Sequence, residues 1–135
     1  MFFSKKREKK LVIHVEDEPD IRQMVHSALT PMGLDVMSAS DGPSGLALIL
    51  KEKPDLVILD VRMPGMDGFA VCESVREQEG FADLPILMAT AMSQVKDIER
   101  AVAAGASGYV LKPFDISKLR HKVISTLGRP EGSGS

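Results

Sequence analysis

Several things are scarce in this chain. Cys72 is its one cysteine, so no internal disulfide can form, which fits a reducing compartment. That thiol lies within an apolar-periodic stretch and is expected to be a buried packing residue rather than a nucleophile. No apolar run approaches the ~20 residues that span a bilayer, and Met1 to Phe3 are too few for a signal-peptide core. The expectation is a cytoplasmic protein with no membrane association. The formal net charge of −2 gives no broad basic surface and argues against direct nucleic-acid binding by the folded part. His14, His26 and His121 are scattered without the spacing of a zinc site and read as packing or surface residues. No repeat occurs at periods of 20 to 50 residues, so a solenoid is not supported.

What is present suits a globular protein. The 135 residues, 44% hydrophobic and 27% charged, are enough for one core and do not call for a second. Residues 1–9 form a leader that carries most of a short basic run (SKKREKK, 4–10), residues 10–129 the folded domain, and residues 130–135 a flexible tail of linker composition, as in a hinge or an expression tag. No output domain follows Leu127, which suggests either a stand-alone domain or one taken from a larger protein.

Within the folded part, short apolar runs alternate with helical periodicity five times, the pattern of a parallel α/β sheet. Strands are expected at Leu11 to Val15, Leu34 to Ala39, Leu56 to Leu59, Ile86 to Ala89 and Ser107 to Leu111. Helices are expected from about Pro19, Gly42, Gly68, Gln94 and Ile116. In the first helix Ile21, Met24, Val25, Ala28, Leu29 and Met32 make one apolar stripe, with Pro19 in the first turn and Gly33 as the stop. Asp41, Asp67, Ser93 and Asp115 stand at N-cap positions, and Gly105 and Gly128 close the last two helices. Continuous apolar strands are covered on both faces, whereas the second and fifth strands are mixed and read as edges. The implied architecture is a flavodoxin-like (βα)5 three-layer sandwich with strand order 2-1-3-4-5.

Ligands of such sheets bind beyond the carboxyl ends of the strands, where the order reverses. Strand one runs into Glu16, Asp17 and Glu18, strand three into Asp60, strand four into Thr90, and strand five into Lys112 and Pro113. Glu16, Asp17 and Asp60 should therefore converge. Clustered carboxylates repel one another unless a cation intervenes, and oxygen donors without His or Cys select Mg2+. A carboxylate beside that cation can act as a nucleophile toward a phosphoryl group. Mg2+, the Lys112 ammonium and the Thr90 hydroxyl could then each take one equatorial oxygen.

With those positions placed, the chain resembles the receiver domains of two-component response regulators, from about Lys10 to Arg129. The matching stretches are Val15-Glu16-Asp17-Glu18-Pro19, Leu59-Asp60-Val61-Arg62-Met63-Pro64-Gly65-Met66-Asp67-Gly68, Pro85 to Ala91, Gly105 to Tyr109 and Lys112-Pro113-Phe114. The resemblance implies that Asp60 is the phosphoacceptor, that Asp17 and Asp60 bind Mg2+ with the backbone carbonyl of Arg62, and that Glu16 acts through water. It implies that Lys112, before a cis proline, contacts the phosphoryl group. Thr90 and Tyr109 correspond to a switch pair that biases a two-state equilibrium. The output surface would be the fourth helix, fifth strand and fifth helix. The implied partners are a sensor histidine kinase or histidine phosphotransfer protein and a downstream effector, with homodimerisation also open. Arg62 and Met92, each two residues beyond a site residue, are expected to influence the lifetime of the acyl phosphate.

Three rival readings fit the residues less well. A phosphohydrolase using an aspartyl phosphate needs an acid two residues after the nucleophile, where this chain has Arg62. In a flavodoxin-type electron carrier, Glu16 to Glu18 would repel the flavin phosphate. A receiver fold used only for binding is disfavoured by the complete acidic set with Thr90 and Lys112.

Overall fold

The computed structural model describes residues 7–91 and 95–128. Within them run β1 (Leu11–Val15), α1 (Pro19–Leu29), β2 (Asp35–Ala39), α2 (Gly42–Glu52), β3 (Leu56–Asp60), α3 (Gly68–Glu77), β4 (Ile86–Thr90), α4 (Val95–Ala104), β5 (Gly108–Leu111) and α5 (Ile116–Leu127). The strands form one parallel sheet in the order β2-β1-β3-β4-β5, as the strand compositions predict.

Side chains alternate between the two faces of each strand, so each face builds its own core. Ile13, Val15, Val57, Leu59, Ile86 and Met88 pack with Ile49 of α2, Val71 and Val75 of α3 and Ala101 of α4. Val12, Leu56, Ile58, Leu87 and Ala89 pack with Val25 and Leu29 of α1 and Leu119 and Val123 of α5. Both faces of β1, β3 and β4 are thus covered, which is why these strands are apolar throughout; the exposure of Asp35, Met37 and Ser38 marks β2 as an edge. Cys72 is fully buried, and its thiol donates to the Ala104 carbonyl at 3.3 Å.

The helix ends follow local chemistry. Asp41 accepts from the Ser44 amide at 2.8 Å, Asp67 from Ala70 at 2.9 Å and Asp115 from Lys118 at 3.0 Å. Ser93, expected to cap the fourth helix, lies with Met92 and Gln94 outside the described residues. The first helix ends at Leu29, and Thr30–Met32 tighten into a 3-10 turn, stopped by Gly33 at φ +82°. β2 starts one residue later than the sequence suggests. Leu34 is buried in the α1 and α5 core, whereas the first ladder pair is Leu11 with Asp35.

Arginines join elements by donating to main-chain carbonyls. Arg7 reaches Glu52 at 3.2 Å and Lys53 at 3.0 Å, at the end of α2. Arg76 of α3 reaches Gly105 at 2.8 Å and Phe81 at 2.9 Å. Arg120 of α5 reaches Ala28 of α1 at 2.8 Å. No helix among the described residues is long and apolar enough to cross a membrane.

Candidate functional site

The crevice lies where the sheet order reverses, beyond the carboxyl ends of β1 and β3. β1 delivers Glu16 and Asp17 there, and Asp60 is the last residue of β3. One carboxylate oxygen from each of Glu16, Asp17 and Asp60 lies within 4.8 Å of the other two. Glu16 and Asp60 are buried and Asp17 is the more open. The three therefore converge as their strand-end positions predict.

Lys112 enters from the end of β5. Its ammonium lies 2.9 Å from Glu16 Oε1 and 3.3 Å from Asp60 Oδ1. The Lys112 amide donates to the Thr90 carbonyl at 2.8 Å, which ties the lysine to the end of β4. The Lys112–Pro113 bond is cis. Glu16 is held twice, since its Oε2 accepts from the Glu18 amide at 3.1 Å. With both oxygens engaged and no solvent exposure, the Glu16 carboxyl is held in place beneath the site.

The electrostatics reflect this crowding. Burial raises the Asp60 carboxyl above its ordinary range, while the Lys112 charge and hydrogen bond and the Arg62 amide pull it back and the Asp17 charge adds to the rise. Burial likewise raises Glu16, against the hydrogen bonds from Lys112 and the Glu18 amide. Burial works against the Lys112 ammonium, but its hydrogen bond to Glu16 and the charge of Asp60 together outweigh that and raise it. The result is two buried carboxyls and an exposed third around one ammonium, a set that would hold a further cation readily.

The donor set is made of oxygen alone, as a hard divalent cation prefers. Glu16, already engaged at both oxygens, is better suited to meet a cation through a water than directly.

Thr90, the last residue of β4, is buried. Its strand neighbour Ala89 pairs with Asp60, which puts Thr90 one residue beyond the carboxylate on the adjacent strand. Tyr109 is different. It stands on the edge strand β5, opposite Met88, and is 41% exposed, so its ring is in an outward setting rather than part of the carboxylate cluster. The Arg62 side chain is exposed and borders a groove running from the β3–α3 loop to α4, lined also by Met63, Phe69, Asp97 and Arg100. The Arg100 guanidinium stacks 4.6 Å above the Phe69 ring.

Glycine shapes the loop after Asp60. Gly68 begins α3 directly against Asp60, so close that an added Cβ would overlap the Asp60 carbonyl. Its amide donates to the Val61 carbonyl at 3.0 Å, folding the loop back onto the strand end.

The sequence alone did not reveal two neighbours. Arg22 of α1 donates to the Glu16 carbonyl at 2.7 Å, a contact whose one sequence signal is a cation a helical turn past the acidic run. His14, under the site, is fully buried with neither ring nitrogen hydrogen-bonded within the described protein. Burial, reinforced by the charges of Lys112 and Arg22, lowers its pKa from 6.5 to about 3, so the ring is neutral. His26 and His121 are exposed, as surface residues should be.

The response regulator receiver domain family matches residues 12–124. The chain belongs to that family. It is a signalling domain of two-component phosphorelay systems rather than an enzyme in the ordinary sense. Among curated relatives, a probable transcriptional regulator, ycf27, of Porphyridium aerugineum is 37% identical over 128 residues, 95% of this chain and 52% of the relative. The DNA-binding dual master transcriptional regulator RpaA of Synechocystis is 38% identical over 120 residues, 89% of this chain and 50% of the relative. The receiver chain thus spans about half the length of these relatives. Among solved structures, the Vibrio cholerae chemotaxis protein CheY4 superposes with a TM-score of 0.84 at 36% identity, covering 87% of this chain and 98% of that one. A putative response regulator from Chloroflexus aurantiacus gives a TM-score of 0.84 at 34% identity, covering 90% and 100%.

Proposed function

We propose that Asp60 is the phosphoacceptor of this receiver and that the reaction depends on Mg2+. The observation that carries the reading is the convergence of Glu16, Asp17 and Asp60 within 4.8 Å, with Lys112 bonded to two of them. The phosphodonor is a phosphohistidine of a sensor histidine kinase or of a histidine phosphotransfer protein.

Asp17 and Asp60 would hold the metal with the Arg62 carbonyl, and Glu16 would reach it through water. The cation supplies charge neutralisation at the transferring phosphoryl group. An Asp60 carboxylate oxygen attacks phosphorus, the new C–O–P linkage forms, and the bond from phosphorus to the donor imidazole breaks. The imidazole keeps the bonding pair and takes a proton from solvent. Lys112, placed 3.3 Å from Asp60, is positioned to leave its carboxylate for an oxygen of the incoming group. Thr90, one strand over, would donate its hydroxyl to another.

Phosphorylation would then act as a switch. The Thr90 hydroxyl is drawn toward the phosphoryl oxygen, and the outward Tyr109 turns into the space left. The face formed by α4, β5 and α5 changes its affinity for a downstream effector or for a second copy of the chain. Because the relatives are transcriptional regulators, the output is proposed to act on gene expression, through a partner or a joined segment, with the receiver itself making no nucleic-acid contact. The setting is cytoplasmic and away from the membrane, where kinase and effector meet it. Residues 10–129 are proposed as the receiver unit, with 1–9 and 130–135 as its flanks.

Intact mass after incubation with acetyl phosphate and Mg2+ tests the assignment. One added phosphoryl group is expected, lost in Asp60→Asn and on chelation. An unmodified mass together with no binding of beryllofluoride would leave a constitutive binding module in place of a switch.

A further inference from the structure

Asp17 is the most open of the three clustered carboxylates. Its backbone, however, is fixed from outside. The peptide unit between Glu16 and Asp17 carries the Glu16 carbonyl on one edge and the Asp17 amide on the other, and it is planar. Arg22, from the first turns of α1, donates to that carbonyl at 2.7 Å. A carbonyl so held cannot rotate without breaking a charge-assisted hydrogen bond.

The residues on either side are also fixed. The Glu16 amide donates to the Ala39 carbonyl at 3.0 Å, which anchors the turn to β2. The Glu18 amide donates to Glu16 Oε2, and the Glu18 carbonyl accepts the Arg22 amide at 3.1 Å. Arg22 therefore closes a loop of bonds around the acidic turn, from helix to turn and back, with Asp17 at its centre. From the same position its charge is felt at His14 on the floor of the site.

We infer that Arg22 is a positioning residue for the metal site: by holding the Glu16–Asp17 peptide plane from the α1 side, it aims Asp17 at Asp60 and pre-organises the cation site before any cation arrives. Outer-shell groups that orient metal ligands in this way typically contribute ~10- to 100-fold in affinity. The inference rests on the proposed use of Glu16, Asp17 and Asp60 as a Mg2+ site, but it concerns a residue that is not one of the proposed ligands.

The test compares the unaltered chain with Arg22→Ala and Arg22→Lys by calorimetric Mg2+ titration, and follows the Asp17 amide by NMR in the metal-free proteins. Arg22→Ala should weaken Mg2+ on the order of tenfold. In the absence of metal it should also move the Asp17 amide resonance and speed its hydrogen exchange. Arg22→Lys keeps a charge and a donor on a shorter reach and should recover part of both effects, and its folding gives a second reading if the alanine variant is unstable. An alanine or lysine variant with a lowered thermal midpoint but unchanged Mg2+ affinity and Asp17 amide would show a purely structural role and overturn the inference. Failure of the unaltered chain to bind Mg2+ would instead overturn the metal reading and this inference with it.

Discussion

The Lys112 ammonium stands 2.9 Å from a Glu16 carboxylate that has no exposure to solvent. Removing one member of a buried pair leaves the other without compensation. Lys112→Met should therefore destabilise the metal-free protein by about 3 kcal/mol at pH 7.5, the lower end for such pairs because the ammonium keeps some exposure. Without the lysine the Glu16 and Asp60 carboxyls rise further. A carboxyl whose folded pKa is raised binds its proton more tightly in the fold, so the penalty is present at neutral pH and fades as pH falls through the raised value. Urea unfolding at pH 7.5 and 5 should show the gap between the two proteins narrowing in acid, and Mg2+ at pH 7.5 should restore part of the loss.

Asp17 separates binding from folding. Because it is the open member of the cluster, Asp17→Asn should leave the stability of the metal-free protein within about 0.5 kcal/mol of the original. It should nevertheless abolish most of the stabilisation that Mg2+ gives, since one direct carboxylate ligand is gone. Thermal melts with and without millimolar Mg2+ measure both. A variant that Mg2+ stabilises as well as the original would exclude Asp17 as a ligand.

His14 makes stability depend on acid in a defined direction. Its folded pKa of about 3 lies below its ordinary 6.5, so between those values the unfolded chain takes up a proton that the fold refuses. The contribution is complete above pH 6.5 and is lost toward pH 3 at about 1.4 kcal/mol per pH unit. His14→Leu removes both the titration and two ring nitrogens that have no hydrogen-bond partner among the described residues, and should stabilise the protein by ~1–2 kcal/mol at pH 7 and by more at pH 5. Equal effects of the substitution at both pH values would contradict a neutral buried imidazole.

Gly68 is required by proximity. An alanine there would place its methyl against the Asp60 main chain and Val61 Cα, atoms that cannot swing aside. Gly68→Ala should cost about 2–3 kcal/mol and displace Asp60. The expected readings are a lower urea midpoint and slower phosphorylation by acetyl phosphate, whereas Gly65→Ala, strained at φ +78° but with open space around it, should lose stability without the same loss of reactivity.

Most of the architecture could be read from the chain because periodicity and strand composition report directly on which faces are covered. β1, β3 and β4 are apolar at successive positions because helices lie on both sides, and the caps at Asp41, Asp67 and Asp115 follow from side chains acting on amides three residues away. Boundaries were less visible. The early end of α1 arises where Pro31 brings no amide to the helix, and Leu34 precedes its strand because it is the ladder, not burial, that defines the start. At the site, Glu16, Asp17, Asp60, Thr90 and Lys112 were placed by their positions at strand ends. The direction of Tyr109, the double engagement of Glu16 and the reach of Arg22 depend on side-chain rotamers and on helix placement, which spacing does not encode.

The arginine contacts also distribute mutational tolerance unevenly. Arg7, Arg22, Arg76 and Arg120 all fasten onto main-chain carbonyls, those of Glu52, Glu16, Phe81 and Ala28 among them. Every amino acid carries a carbonyl, so as far as these bonds are concerned the accepting positions are free to drift in sequence. The donors have no such freedom, because no other side chain offers the same fork at the same length. Each fastening is thus encoded at one position instead of two, and a single codon change at the arginine, with no possible compensation at its partner's side chain, is enough to undo it.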